Sequence, residues 1–140
     1  MAHRVLIIDD DRWIAMSTAM VLEAEGFAVD SALSGPEGIE KVRAAPPGIV
    51  LLDIMMPGMD GWETLERLKA DPVCRPVPVV VFTAREQREG RSRARELGAV
   101  EYFRKPFRPD ALVQALRHHL GDTVAAASAP QPPIVGDRAS

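Results

Sequence analysis

The chain has 140 residues, 46% apolar and 26% charged, with a net charge of −3, a balance that fits one globular domain with a single core and argues against disorder throughout. No apolar run approaches the ~18 residues of a membrane span, and Met1-Ala2-His3-Arg4 leads straight into a strand-like segment, so the expected location is cytoplasmic with no membrane partner. Cys74 is the sole cysteine, which excludes an intramolecular disulfide and a cysteine-based metal site.

Short apolar, β-branched runs alternate with segments of helical period, the pattern of βαβ units around a parallel sheet covered on both faces. Five strand-then-helix repeats are predicted, with strands over 4–8, 27–31, 48–52, 78–82 and 100–103 and helices over 12–25, 35–44, 61–70, 86–97 and 109–120. The first strand, Val5-Leu6-Ile7-Ile8, runs into Asp9 and Asp10, and Asp11 is expected to cap the helix that follows. That helix sets Ile14, Thr18, Val21 and Leu22 on one buried face, and Gly26 ends it. Trp13 follows the acidic loop and is a candidate to lie over it; Met16, Met20, Met55, Met56 and Met59 read as gap-filling or loop residues.

The third strand, Ile49-Val50-Leu51-Leu52, ends on Asp53, and packing does not explain a carboxylate at the end of a central apolar strand. Gly58 and Gly61 follow, easing the turn and close backbone approach, and Trp62 at the head of the third helix is expected in the core. Cys74 falls in a loop among Pro72, Arg75, Pro76 and Pro78. The fourth strand, Val79-Val80-Val81-Phe82, ends on Thr83, for which capping of the following helix is the minor reading even when it is taken alone. Residues 85–108 carry eight Lys/Arg against four Asp/Glu in an otherwise acidic chain. Such a segment marks either a binding face or a solvated helix surface, and the interspersed Glu86, Glu89 and Glu96 favour the latter. Gly98 closes the fourth helix, Tyr102 lies on the fifth strand, and Lys105-Pro106 follows. Pro109 suits the first position of the last helix, His118 and His119 suit its negative end, and Gly121 stops it. From Asp122 on, Ala, Ser, Pro and Gly dominate, so the expected organisation is a domain over 1–121 and a flexible tail or linker over 122–140.

In open α/β sheets ligands bind outside the carboxyl ends of the strands, where Asp9, Asp10, Asp53, Thr83 and Lys105 all fall. Carboxylates ~4 Å apart repel by about 4 kcal/mol per pair at an effective dielectric near 20. Lys105 and a hard divalent cation with oxygen ligands, for which Mg²⁺ is suited, supply the counter-charge.

Four motifs carry a family resemblance: Val5-Leu6-Ile7-Ile8-Asp9-Asp10-Asp11, Leu51-Leu52-Asp53 through Gly61, Val80-Val81-Phe82-Thr83-Ala84, and Tyr102-Phe103-Arg104-Lys105-Pro106-Phe107. In this order and spacing they cover residues 4 to about 120, and the chain resembles the receiver domain of two-component response regulators. The resemblance implies a flavodoxin-like (βα)5 three-layer sandwich whose five parallel strands run in the order 2-1-3-4-5. It implies a signalling phosphoacceptor and not an enzyme in the ordinary sense. Asp53 would accept a phosphoryl group from a phosphohistidine of a sensor kinase or phosphotransfer protein. Asp9 and Asp10 would help hold Mg²⁺, with Asp10, Asp53 and the backbone carbonyl of Met55 as direct ligands. Lys105 and Thr83 would contact phosphoryl oxygens, and Thr83 and Tyr102 would form the switch. The output face would be the fourth helix, fifth strand and fifth helix, binding a downstream protein or a second copy after phosphorylation.

A Mg²⁺-dependent phosphatase with an aspartyl nucleophile is the alternative, but it needs an acid two residues beyond Asp53, where Met55 stands. Direct nucleic-acid binding is not expected, since no aromatic stacking platform accompanies the arginines. Met55 and Arg85, two residues after Asp53 and Thr83, sit where side chains influence water access in the family. Met cannot orient a water by hydrogen bonding, so slow self-dephosphorylation is expected.

Overall fold

The computed structural model describes residues 3–56, 58–84 and 89–121. Within them five strands alternate with five helices: β1 (Arg4–Ile8), α1 (Arg12–Ala24), β2 (Ala28–Ala32), α2 (Gly35–Ala44), β3 (Ile49–Asp53), α3 (Gly61–Ala70), β4 (Val79–Thr83), α4 (Gly90–Glu96), β5 (Glu101–Arg104) and α5 (Pro109–His119). All strand pairs are parallel, and the sheet order is β2-β1-β3-β4-β5, the flavodoxin-like order expected.

β3 and β4 carry apolar side chains at successive positions, so both faces need cover, and every residue of both strands is buried. Alternate side chains feed two cores. Leu6, Ile8, Val50, Leu52, Val79 and Val81 pack with Val42 of α2, Leu65 and Leu68 of α3 and Ala94 of α4. Val5, Ile7, Ile49, Leu51, Val80 and Phe82 pack with Leu22 of α1 and Leu112 and Leu116 of α5. Two helices thus cover one face and three the other. Each fully buried leucine contributes roughly 1.5–3 kcal/mol, so the strand register is strongly fixed. That register sets Asp53 beside Phe82 and Thr83 beside Arg104, which aligns the strand ends at one edge of the sheet.

Local signals start the helices that flank this edge. The Asp11 carboxylate accepts from the Trp13 and Ile14 amides, at 3.0 and 3.1 Å, and caps α1. Asp60 accepts from the Glu63 amide at 2.9 Å and caps α3. Gly61 heads α3 against the Asp53–Ile54 backbone, where a Cβ would collide with the Asp53 carbonyl oxygen and the Ile54 Cα. Only glycine lets α3 approach the end of β3 so closely.

Four of the five helices begin at the predicted residue, whereas α4 starts at Gly90 and not at 86. Its N-cap, Glu89, has φ 61°, a left-handed conformation through which a helix does not continue. Residues 86–88 lie outside the described set, as does the expected tail over 122–140. Trp62 and Cys74 are buried, and Met56 fills a core gap as expected. Met16 and Met20 do not: they stand exposed on the outer side of α1, because Ala15, Thr18 and Leu22 occupy its buried side. No helix among the described residues is long and apolar enough to cross a membrane.

Candidate functional site

Because β1 ends at Ile8, Asp9 begins the turn above the sheet and is fully buried. One of its oxygens accepts from the Asp11 amide at 2.9 Å, and the other accepts from Lys105 Nζ at 3.1 Å. Asp9 therefore braces the acidic loop, and Asp11 passes that bracing to α1. Asp10 is exposed. Asp53, the last residue of β3, is 4% exposed; its Oδ1 accepts from the Met55 amide at 3.1 Å, and its Oδ2 lies 3.9 Å from Lys105 Nζ.

Lys105 arrives from beyond β5, where its amide donates to the Thr83 carbonyl at 2.7 Å. Its ammonium lies 4.4 Å from the centre of the Phe82 ring, so an aromatic ring flanks the charge. One ammonium thus serves two buried carboxylates. Carboxylate oxygens of Asp9, Asp10 and Asp53 all come within 4.8 Å of one another.

The electrostatic result is a surplus of negative charge. Burial above all, and then the neighbouring Asp9 carboxylate, push the Asp53 carboxyl from its ordinary value of 3.8 up to about 7, against the lowering effect of Lys105 and the Met55 amide. An all-oxygen donor set with this surplus fits a hard divalent cation such as Mg²⁺. A cation held there would offset this surplus and favour the ionised carboxylate of Asp53.

Thr83 ends β4 fully buried, one strand across from Asp53. Tyr102 is 1% exposed and faces the core shared with α2, α3 and α4. Gly90 lies over it so closely that a Cβ there would stand 2.6 Å from the phenol oxygen, and the Arg91 guanidinium sits 5.1 Å from the ring centre. Arg93 stacks on Trp62 in the same way, at 4.5 Å. The basic segment is therefore more than a solvated surface, since two of its arginines hold α4 onto aromatic rings. Trp13, read as a candidate to cover the acidic loop, is instead 76% exposed on the outer side of α1.

Sequence reasoning passed over Phe82, whose only signal was its place before Thr83 in an apolar strand. It also passed over the buried Glu101, which meets His119 Nε2 at 3.1 Å. His119 thus pairs with a specific carboxylate in addition to sitting at the end of α5.

The sequence model for the response regulator receiver domain matches residues 5–117. The chain belongs to this family. Among curated relatives, it is 36% identical over 117 residues to the phosphate regulon transcriptional regulatory protein PhoB of Escherichia coli (strain K12), covering 84% of this chain and 51% of PhoB. It is 38% identical over 120 residues to the DNA-binding response regulator MtrA of Mycolicibacterium paratuberculosis, covering 86% of this chain and 52% of MtrA. The receiver domain thus spans about half the length of these two relatives. Among solved structures, a CheY-like response regulator receiver domain protein from Methanospirillum hungatei JF-1 superposes with a TM-score of 0.80 at 31% identity, covering 89% of this chain and 98% of that one. The fold and the family together make this a receiver domain of two-component systems, a class that works by signalling and not as a conventional enzyme.

Proposed function

We propose that Asp53 accepts a phosphoryl group from a phosphohistidine of a sensor kinase or phosphotransfer protein, with Mg²⁺ held by Asp10, Asp53 and the Met55 carbonyl beside Asp9. The observation that carries this reading is the buried strand-end carboxylate of Asp53, with oxygens of Asp9, Asp10 and Asp53 within 4.8 Å of one another and Lys105 Nζ 3.9 Å from Asp53. In the transfer, an Asp53 oxygen bonds to phosphorus as the phosphorus–nitrogen bond breaks, and the leaving imidazole keeps the electron pair. When bound, Mg²⁺ supplies positive charge that keeps Asp53 ionised and offsets the charge on the phosphoryl oxygens. Lys105 neutralises one phosphoryl oxygen as a point charge, and the Thr83 hydroxyl donates to another.

Phosphorylation adds charge and acceptor oxygens next to Thr83, which is drawn toward them, and Tyr102 responds across the sheet edge. Tyr102 is already inward in the structure, beneath Gly90 and Arg91. Its response therefore takes the form of a tighter α4 contact and not of an inward swing. The output face is α4, β5 and α5, elements that carry Arg91, Arg95 and Arg104, and it takes a downstream protein or a second copy. Direct DNA binding is not assigned to the domain itself.

Mixing the chain with a phosphohistidine-loaded phosphotransfer domain and Mg²⁺ tests the donor chemistry. The label is expected to move to this chain and to stay on the donor when EDTA is present; transfer that is indifferent to EDTA contradicts the reading. The phosphorylated form is expected to decay over minutes or longer in Mg²⁺, because the exposed Met55 side chain beside Asp53 cannot hydrogen-bond an attacking water. Arg85, the other position bearing on water access, lies outside the described residues. Complete loss of the phosphoryl group within seconds, followed by intact mass, would contradict slow decay.

A further inference from the structure

Trp13, Met16 and Met20 are 76%, 50% and 68% exposed, the three most exposed large apolar side chains among the described residues. At ~100° per residue they form one stripe along α1, directly opposite Ala15, Thr18 and Leu22, which face the core. Isolated surface methionines need no explanation, but a contiguous apolar ridge on an amphipathic helix marks a contact surface. Arg12 and Glu23, both exposed, lie about three turns apart on the same flank of this stripe. Neither takes an ion pair within the chain among the described residues.

We propose that this ridge binds α1 of a second copy of the chain, antiparallel, across a two-fold axis. Such an axis keeps the same flank of both helices on the same side of the seam. Arg12 of one copy then faces Glu23 of the other, and the pair occurs twice. Met16 of one copy meets Met20 of the other, and Trp13 covers the small Ala24. Parallel pairing about a two-fold axis would instead put the two flanks on opposite sides of the seam and leave each Arg12 without a Glu23 across from it, so the charges select the antiparallel arrangement. One chain supplies both halves of the complementarity, which is why a second copy is the occupant. The seam does not use α4, β5 or α5, so it forms without phosphorylation and leaves the output face open.

Sedimentation velocity of the full, unphosphorylated chain over a dilution series tests the proposal, with circular dichroism melts as the control for folding. Wild type is expected to dimerise reversibly, and Met16→Glu combined with Met20→Glu to weaken the dimer roughly tenfold or more while keeping the wild-type far-UV spectrum and a cooperative melt. Arg12→Glu and Glu23→Arg each set like charges across the seam and are expected to weaken it. An equimolar mixture of these two variants restores opposite charges at both ends, and is expected to regain the dimer. A wild type monomeric at its highest soluble concentration overturns the proposal. So does a dimer that tolerates the α1 variants, one weakened only by changes at Arg91 or Arg104, or a mixture that stays monomeric.

Discussion

Asp53→Asn is expected to make the chain more stable, not less, when Mg²⁺ is chelated at pH 8. The folded protein holds the wild-type carboxyl at about 7, against 3.8 for an ordinary aspartate. Between those two values the folded state binds more protons than the unfolded state, so stability falls as pH rises and the full cost is present above about 7. A shift of this size bounds the cost at about 4 kcal/mol, and relaxation around a coupled carboxylate brings the expected gain to about 1–3 kcal/mol. Asparagine keeps an oxygen for the Met55 amide, which donates to Asp53 at 3.1 Å, while removing the charge next to Asp9. The measurement is the difference in unfolding free energy between variant and wild type from pH 4 to 8. It is expected to be near zero at the acid end and to grow with pH, and Mg²⁺ at pH 8 is expected to shrink it by stabilising wild type alone. A difference that grows toward acid instead would mean that burial and Asp9 do not raise this carboxyl.

Lys105→Met has the opposite sign and a larger size. The lysine is the one cation within 4 Å of both Asp9 and Asp53 among the described residues, at 3.1 and 3.9 Å. Asp9 is fully buried, so removing its partner leaves its carboxylate without a counter-charge and without direct solvent contact. Breaking a buried pair from one side costs about 3–5 kcal/mol; the surviving bond from the Asp11 amide, 2.9 Å long, argues for the lower part of that range. Methionine preserves the packing on Phe82, so the loss reports charge and not volume. Urea unfolding at pH 7.5 measures it, and Mg²⁺ is expected to recover part by supplying a replacement cation. A loss under about 1 kcal/mol would place the pair in the class of solvent-screened ion pairs and contradict the burial argument.

Much of this site was legible in the sequence because a parallel sheet converts strand ends into a place. Asp9, Asp53 and Thr83 each follow a continuous apolar run and Lys105 follows the mixed strand Glu101–Arg104, and once those strands align in register the four residues converge. Asp11 was readable as a cap from its position alone. The start of α4 was not, because nothing in Glu86-Gln87-Arg88-Glu89 announces that Glu89 adopts a left-handed conformation. Met16 and Met20 were misread for a related reason: with Ala15, Thr18 and Leu22 available, periodicity fills the buried face without them, and the methionines fall outside. The division of labour within the acidic pair was also hidden. Sequence joins Asp9 and Asp10, whereas the structure buries Asp9 against Lys105 and leaves Asp10 exposed in the same cluster.

The phosphoacceptor role of Asp53 is tested most directly by incubating the chain with acetyl phosphate and Mg²⁺ and measuring its intact mass. Wild type is expected to gain about 80 Da, with no gain for Asp53→Asn and none for wild type in EDTA. No adduct on wild type, or an undiminished adduct on Asp53→Asn, would contradict the assignment of Asp53 as the phosphoacceptor.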